Sequence, residues 1–167
     1  QNKQSYISDI EKIFLKKIIK NNNIKFFSDY NSITESDVII VCVPTPLNKT
    51  KDPDISYIIS ATENISEFSI NKKLISIEST VYPGATDEII LPILLKKSNL
   101  NIGQDFNLIF SPERMDPGQR KWNLKNTPKV IGGITPNCNK LGSILYKSVA
   151  DEVITVSSTR AAEMTKL

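Results

Sequence analysis

The sequence predicts the α/β class with a doubly wound parallel sheet, and three observations support this. Short apolar runs alternate with amphipathic helical patterns along the chain. The run Val38 to Val43 is apolar at every position, as in a strand buried on both faces of a parallel sheet. Loops rich in proline and hydroxyl side chains follow the strand-like runs. One domain is expected, because no linker or repeat interrupts the pattern of 167 residues.

The elements follow in order from hydrophobic spacing. Strands are predicted at Ile24 to Phe27, Val38 to Val43, Leu74 to Ile77, Phe106 to Phe110, Lys129 to Ile131 and Glu152 to Val156. Helices are predicted at Ser8 to Lys20, from a cap at Asp54 to about Ile65, from about Thr86 to Lys97, from a cap at Thr135 to about Ser148, and at Ser157 to Leu167. Pro92 should kink the third helix, since proline lacks the N–H that the helix needs there.

Composition excludes several classes of protein. The net charge is +3, and the charges are scattered rather than gathered into a basic stripe, so nucleic-acid binding is not expected. No apolar run has the length of roughly 20 residues that spans a bilayer, and no signal-like segment opens the chain. We therefore expect a cytoplasmic protein without membrane contact.

Histidine is absent and cysteine occurs twice, which argues against a Cys/His metal site and against a Ser-His-Asp triad. No metal is expected. Cys42 is predicted to be a small core residue and Cys138 a surface thiol. Neither has the electropositive surroundings that activate a thiolate.

The first chemically informative loop runs from Val43 to Pro46. Pro44 fixes its own backbone angle, and Pro46 holds Thr45 extended. One hydroxyl is thereby held at the carboxyl edge of the sheet, where open α/β sheets bind dinucleotides. The alternative is a proline-rich turn that only ends a strand.

The second loop, from Glu78 to Gly84, places Ser79 and Thr80 directly after a predicted strand. Their hydroxyls could bind a ribose, an amide or an ordered water. The alternative is a helix-entry turn whose side chains satisfy their own backbone.

The third loop is the run Ser111 to Gly118, SPERMDPG, which sets Glu113 beside Arg114 in a proline-stiffened turn. A carboxylate held in a cleft can act as a general base, whereas most neighbouring charges are solvated ion pairs worth at most about 1 kcal/mol. From spacing alone, Lys166 would be a surface partner of Glu163 one helical turn earlier.

Six motifs occur together and in order. They are VPTPL at 43 to 47, DPDISY at 52 to 57, ESTVYPG at 78 to 84, SPERMDPG at 111 to 118, PKVIGG at 128 to 133 and STRAAEMTKL at 158 to 167. In this set the chain resembles the UDP-glucose/GDP-mannose dehydrogenase family, above all the branch acting on UDP-N-acetylglucosamine or UDP-N-acetylmannosamine. That family oxidises the C6 alcohol of a nucleotide-linked sugar to a carboxylate for surface polysaccharides, using two NAD per turnover and a cysteine thioester.

The resemblance implies a Rossmann-like fold and a role for each matching residue. Val43, Pro44, Thr45, Ser79 and Thr80 would bind NAD, and Thr80 would also help to position a catalytic water. Glu113 matches the glutamate of thioester hydrolysis, and Lys166 matches the lysine that stabilises negative charge on the C6 oxygen. Glu113, Arg114 and Lys166 would contact the UDP-sugar.

Three departures from the family pattern are visible. Pro117 stands where the UDP-glucose enzymes have a second acid, which disfavours that branch. The Gly-x-Gly-x-x-Gly turn and its ribose-binding acid are absent, so the sheet is expected to be incomplete at the amino end. The catalytic cysteine, its partner asparagine and the substrate domain are absent too.

The resemblance therefore implies that residues 1–157 are the latter part of the NAD-binding domain. Residues 158–167 would start the connecting helix of an enzyme that is a homodimer at full length, and the piece alone would be inactive. Two alternatives stay open: a UDP-glucose or GDP-mannose 6-dehydrogenase, and a non-catalytic nucleotide-binding module.

Overall fold

The computed structural model describes residues 12–21, 24–47, 53–114 and 123–166. The strands are β1 (Val38–Val41), β2 (Leu74–Ile77), β3 (Asn107–Phe110), β4 (Lys129–Gly133) and β5 (Val153–Thr155). The helices are α1 (Lys12–Lys20), α2 (Ser56–Ser66), α3 (Leu91–Leu95), α4 (Pro136–Lys147) and α5 (Thr159–Met164). A 3₁₀ turn at Asn31–Glu35 precedes β1, and a π-helical turn at Thr86–Ile90 leads into α3.

The five strands form one sheet in chain order, β1-β2-β3-β4-β5. The first three strands are parallel to one another, and β4 is parallel to β5. β3 and β4, however, pair antiparallel, with Ile109 opposite Gly133 and Phe110 opposite Gly132. The sheet is therefore mixed where a fully parallel sheet was expected, and the amino end of β4 lies at the edge where β1, β2 and β3 end.

Helices cover both faces of the sheet, which confirms the α/β class. Alternate strand residues enter two hydrophobic cores, so that Ile75 and Ile77 face one core while Leu74 faces the other. α2, α3 and α5 pack over the first core, and α4 covers the second through Cys138 and Tyr146. Both faces of the central strands are consequently buried.

Several predicted elements match closely and others do not. β2 has its predicted bounds, and α4 begins as expected, with the Thr135 hydroxyl accepting a hydrogen bond from the Cys138 N–H. The predicted strand at Ile24 to Phe27 is wrong, because these residues have no regular structure and are exposed. A strand needs a pairing partner, and a short apolar run does not specify one.

The edge strand β1 is shorter than predicted, and Ile40 is 47% exposed. The predicted burial on both faces therefore fails at β1, which is paired only with β2 in the described residues. The start of α2 also differs from the prediction. Its cap residue is Ile55 rather than Asp54, although the Asp54 carboxylate accepts a hydrogen bond from the N–H of Ser56, the first residue of the helix (2.9 Å). Pro92 follows directly on the π-helical turn, in which the Leu91 N–H bonds to the Thr86 carbonyl oxygen, so the predicted helix changes its hydrogen-bonding pattern at the proline.

The two cysteines are placed opposite to expectation. Cys42 is exposed because β1 ends at Val41, whereas Cys138 in the first turn of α4 is fully buried in the second core. Three parts of the predictions lie outside the described residues: residues 8–11 of the first helix, Leu167 of the last helix and residues 115–118 of the third loop. Within the described ranges, none of the helices is long and apolar enough to cross a membrane.

Candidate functional site

A cleft of about 460 Å³ opens at the edge where β1, β2 and β3 end. Its lining comes from three separate loops and consists of Cys42, Val43, Pro44, Thr45, Glu78, Ser79, Thr80 and Glu113. The carboxyl ends of parallel strands meet at one sheet edge, and for this reason the three loops converge there. The volume is that of a site for a small organic ligand.

Ser79 fixes the geometry of the first two loops. Its hydroxyl accepts a hydrogen bond from the Val43 N–H (2.7 Å) and reaches the Val43 carbonyl oxygen at 2.9 Å. The side chain is 6% exposed. Because the hydroxyl is engaged with the backbone of the neighbouring loop, Ser79 shapes the cleft rather than presenting a free donor to it.

Thr45 and Thr80 are different, because both are half-buried at the cleft wall. No hydrogen bond joins either hydroxyl to the residues that the structure describes. These two hydroxyls at the cleft wall are therefore available to a ligand.

A buried carboxylate anchors the second loop from behind. Glu163 of α5 has no exposed surface, and its two oxygens accept hydrogen bonds from the backbone N–H groups of Gly84 (2.5 Å) and Thr86 (2.9 Å). Gly84 has a φ of +102°, a conformation that disfavours other residues, so the turn requires glycine. Glu163 thus couples α5 to the loop that carries Thr80.

Two further side-chain contacts clamp α5 against the same turn. The Thr159 hydroxyl donates to Asp87, and the Arg160 guanidinium lies 2.6 Å from Glu88. α5 also approaches β4 so closely that a Cβ at Gly132 would lie 2.1 Å from the Ser158 carbonyl oxygen. Glycine in the PKVIGG motif therefore permits the close contact between β4 and α5.

The end of α5 reaches the third loop. The Lys166 ammonium donates to the backbone carbonyl oxygen of Glu113 (2.6 Å). The surface pair of Lys166 with Glu163 that spacing alone favoured is wrong, because Glu163 points into the core and Lys166 to the cleft edge. Arg114 is exposed and does not line the cleft, although it adjoins Glu113.

A buried cation links the second and third loops. The side chain of Lys129, the first residue of β4, is 5% exposed, and its ammonium lies 3.3 Å from Glu78 and 3.4 Å from Glu113. Glu78 is 13% exposed and Glu113 is 41% exposed. One carboxylate is therefore enclosed, while the other faces the cleft opening.

Tyr146 of α4 closes the network on the inner side. Its hydroxyl donates to Glu78 and lies 2.7 Å from the hydroxyl of Ser76. The Lys129 ammonium lies 5.0 Å from the centre of the tyrosine ring, within cation–π range. Burial, reinforced by the hydrogen bond to Glu78, raises the pKa of Tyr146 above its ordinary value, so the phenol stays protonated.

Cys42 is at the cleft but is not activated. Its sulfur lies 4.0 Å from Glu78. Desolvation, followed by the negative charge of Glu78, raises the pKa of the Cys42 thiol despite the opposing charge of Lys129. The neutral thiol is a poor nucleophile, in agreement with the sequence-based expectation.

Sequence reasoning found the cleft but missed the network beneath it. The predicted cofactor residues and Glu113 come together, and Lys166 reaches the Glu113 backbone. Glu78, Lys129 and Tyr146 were not predicted as site residues. If β4 were parallel to β3, Lys129 would lie at the edge of the sheet opposite the cleft. The antiparallel pairing is what brings Lys129 to the cleft. A carboxylate directly after β2 was the one available signal for Glu78.

Comparison with known proteins identifies the architecture. The model of the UDP-glucose/GDP-mannose dehydrogenase family, NAD binding domain, matches residues 1–150. The chain belongs to this family. NAD, the cofactor that the resemblance implied, is thereby confirmed.

Individual relatives agree with this assignment. The chain is 36% identical to Protein CapL of Staphylococcus aureus over 150 residues, which are 89% of the chain and 35% of that protein. It is 35% identical to UDP-N-acetyl-D-glucosamine 6-dehydrogenase of Salmonella typhi over 145 residues, 86% of the chain and 34% of that enzyme. The chain thus spans about a third of the length of these relatives.

A solved structure of the family superposes on nearly the whole chain. The UDP-N-acetyl-mannosamine dehydrogenase Cap5O of Staphylococcus aureus aligns with a TM-score of 0.89 at 30% identity, covering 99% of the chain and 40% of that protein. The cleft suits the NAD of this family, because its two available hydroxyls lie at the carboxyl ends of parallel strands.

Proposed function

We propose that this chain supplies the latter part of the NAD-binding domain of an NAD-dependent UDP-N-acetylhexosamine 6-dehydrogenase. The enzyme would oxidise the C6 alcohol of the sugar to a carboxylate for surface polysaccharide synthesis. The observation that supports this most strongly is the convergence of Thr45, Thr80 and Glu113 on one cleft. Sheet topology brings the three loops to one edge, but it does not require two unengaged hydroxyls and a carboxylate at that edge.

In this proposal the first two loops hold the cofactor. Thr45 and Thr80 donate hydrogen bonds to NAD, with the backbone at Val43 and Pro44 forming the wall behind it and Ser79 fixing the loop. When bound, NAD accepts the hydride from the sugar. The cleft excludes part of the surrounding water, which strengthens each polar contact made inside it.

The third loop and α5 act on the substrate. Glu113 serves as the general base that takes a proton from the water attacking the acyl intermediate, and Thr80 orients that water. Lys166 stabilises the negative charge that develops on the C6 oxygen. Arg114, exposed beside Glu113, is available to the nucleotide sugar.

The names of the relatives favour an N-acetylated UDP-sugar. Solved structures of two UDP-N-acetylmannosamine dehydrogenases are each 30% identical to the chain, whereas a GDP-mannose dehydrogenase structure from Pseudomonas aeruginosa is 26% identical. Within the same proposal, residues 158–167 begin the helix that connects to the substrate domain. The whole enzyme is a cytoplasmic homodimer without nucleic-acid partners.

A chimera tests the proposal. Residues 12–166 would replace the aligned segment of the Salmonella typhi enzyme, and NADH formation would be followed with UDP-N-acetylglucosamine, UDP-N-acetylmannosamine, UDP-glucose and GDP-mannose. We expect two NADH per sugar consumed, at a rate close to that of the unaltered Salmonella typhi enzyme. A chimera that binds NAD but reduces none with any of the four would contradict the proposal. The substrate domain of the chimera is that of the Salmonella typhi enzyme, so the choice of sugar is tested in the full-length protein that contains this chain, where faster turnover of UDP-glucose or GDP-mannose would contradict it.

A further inference from the structure

The cluster beneath the cleft contains an enclosed cation that the proposed reaction does not use. Lys129 lies within 3.4 Å of two carboxylates that come from different loops, Glu78 and Glu113. Burying an ammonium group costs desolvation free energy unless the group is paired, and a lysine on the surface does not carry this cost. Its position therefore calls for an explanation beyond packing.

The two carboxylates are not equivalent. Glu78 is held on one oxygen by the Tyr146 hydroxyl and on the other by Lys129, and little of it is exposed. Glu113 has one oxygen at Lys129 and the other accepting from the Arg114 N–H (2.8 Å), while 41% of it faces the opening. Glu78 is thus the fixed anion of the cluster, and Glu113 is the carboxylate that reaches the cleft.

We propose that Lys129 is a positioning residue for Glu113, bridging it to the anchored Glu78 so that the carboxylate stays aimed at the cleft. Without the bridging cation, two like charges would meet at the base of the cleft, and Glu113 would turn to solvent. Tyr146 and Ser76 act through Glu78, since they hold the anchor in place. The geometric part of this inference is independent of the proposed function, whereas its catalytic consequence rests on it.

Among the described residues, the charged or titratable neighbours of Glu113 come from several elements. Glu78 and Cys42 come from the loops after β2 and β1, Lys129 from β4, and Lys166 from the end of α5, with Arg114 adjacent in the chain. The Lys129 ammonium lies within salt-bridge distance of the Glu113 carboxylate. Its removal should therefore change how Glu113 titrates.

The test is an NMR titration of the chain with ¹³C-labelled glutamate side chains, in which Glu113→Gln assigns the resonance. We expect Lys129→Met to raise the titration midpoint of Glu113 by about one pH unit and Lys129→Arg to keep it within a few tenths of a unit. Glu78→Gln should lower it, because a neighbouring negative charge is lost. Lys125→Met is the matched control: this exposed lysine lies 3.9 Å from Asp151, and its loss should leave Glu113 unchanged.

If Lys129 had only a structural role, Lys129→Met would change the stability of the chain without moving the titration midpoint of Glu113. An unchanged midpoint in Lys129→Met would overturn the proposal. If that variant does not fold, Glu78→Gln decides, and a midpoint that stays or rises there would overturn it equally.

The kinetic consequence is tested in the chimera described above. Lys129→Met should lower kcat about 10-fold to 100-fold and leave KM for NAD unchanged, and Lys129→Arg should restore most of the rate. A normal kcat in Lys129→Met would overturn the catalytic part of the inference. An unmodified chimera without activity would instead count against the proposed function, and the titration would still decide the positioning role.

Discussion

Two clefts of nearly equal size lie in different parts of this molecule. The cleft at the ends of β1, β2 and β3 measures about 460 Å³, and a second cleft of about 430 Å³ lies between the end of α2 and the end of α3. The second is lined by residues 66–70, 94 and 97–100. Size does not distinguish the two, so the difference must lie in what surrounds them.

The ion pairs at the two clefts show that difference. Lys97 pairs with Glu67 at the second cleft, and both side chains are at least half exposed. Lys129 pairs with Glu78 at the first, where both are nearly enclosed and Tyr146 adds a hydrogen bond. Solvent screens the exposed pair, whereas the enclosed pair has no water to replace either partner. The comparison teaches that buried polar contacts, rather than a concave shape, distinguish the cleft that we propose to be functional.

Activity should separate the two clefts most sharply. In the chimera, Glu113→Gln should lower kcat by about 10²- to 10⁴-fold, because the proposed general base is lost. Glu67→Gln, at the second cleft, is the control and should leave kcat unchanged. NADH formation under saturating NAD and sugar nucleotide measures both. Equal rates for the two variants would remove the functional distinction between the clefts.

Stability gives the next largest contrast. Lys129→Met should lower the free energy of unfolding by about 3 kcal/mol, since it leaves Glu78 enclosed without its cation. Lys97→Met should change it by less than about 1 kcal/mol, because its partner returns to water. Urea unfolding of the chain at neutral pH compares the two. A loss in Lys97→Met as large as that in Lys129→Met would refute the argument from burial.

The same contrast exists around α5. Glu163→Ala should cost about 2 to 3 kcal/mol, because the buried N–H groups of Gly84 and Thr86 lose their acceptor. Glu88→Ala removes a half-exposed partner of Arg160 and should cost less than about 1 kcal/mol. Thermal unfolding of both variants provides the measurement. A neutral Glu163→Ala would show that the second loop does not depend on this anchor.

The smallest effect concerns alkaline pH. Because the folded state raises the pKa of Tyr146, its neutral phenol contributes stability that is present below the unfolded value near 10 and is lost as pH rises above it. Urea unfolding at about pH 9 and about pH 11 should therefore show a smaller alkaline loss in Tyr146→Phe than in the unaltered chain. Tyr57→Phe, at an exposed tyrosine, is the control. An identical pH dependence in all three proteins would contradict this role of Tyr146.

Sequence reasoning performed best where the signal was local. The bounds of β2 and the cap of α4 at Thr135 follow from short patterns, and the loops around Thr45 and Thr80 were found because proline and hydroxyl residues follow a strand. The predictions for Cys42 and Cys138 were wrong, since one residue at a strand end or helix start decides which way a small side chain points.

What the sequence could not supply is pairing and direction. The Ile24 to Phe27 run has strand-like composition, yet composition does not provide a neighbouring strand. The antiparallel direction of β4 depends on how its connection to β3 returns, and this direction brings Lys129 to the cleft. The role of Glu163 was likewise hidden, because a glutamate on a short helix usually faces water.

The central claim is that NAD binds at the edge where β1, β2 and β3 end. NAD titrated into the chimera, with the backbone and methyl resonances of residues 12–166 followed by NMR, tests it most directly. We predict that the resonances of Thr45, Thr80 and Glu113 shift together, whereas those of residues 66–70 and 97–100 do not move. Shifts confined to the second cleft, or no shift at Thr45 and Thr80 at saturating NAD, would contradict the account.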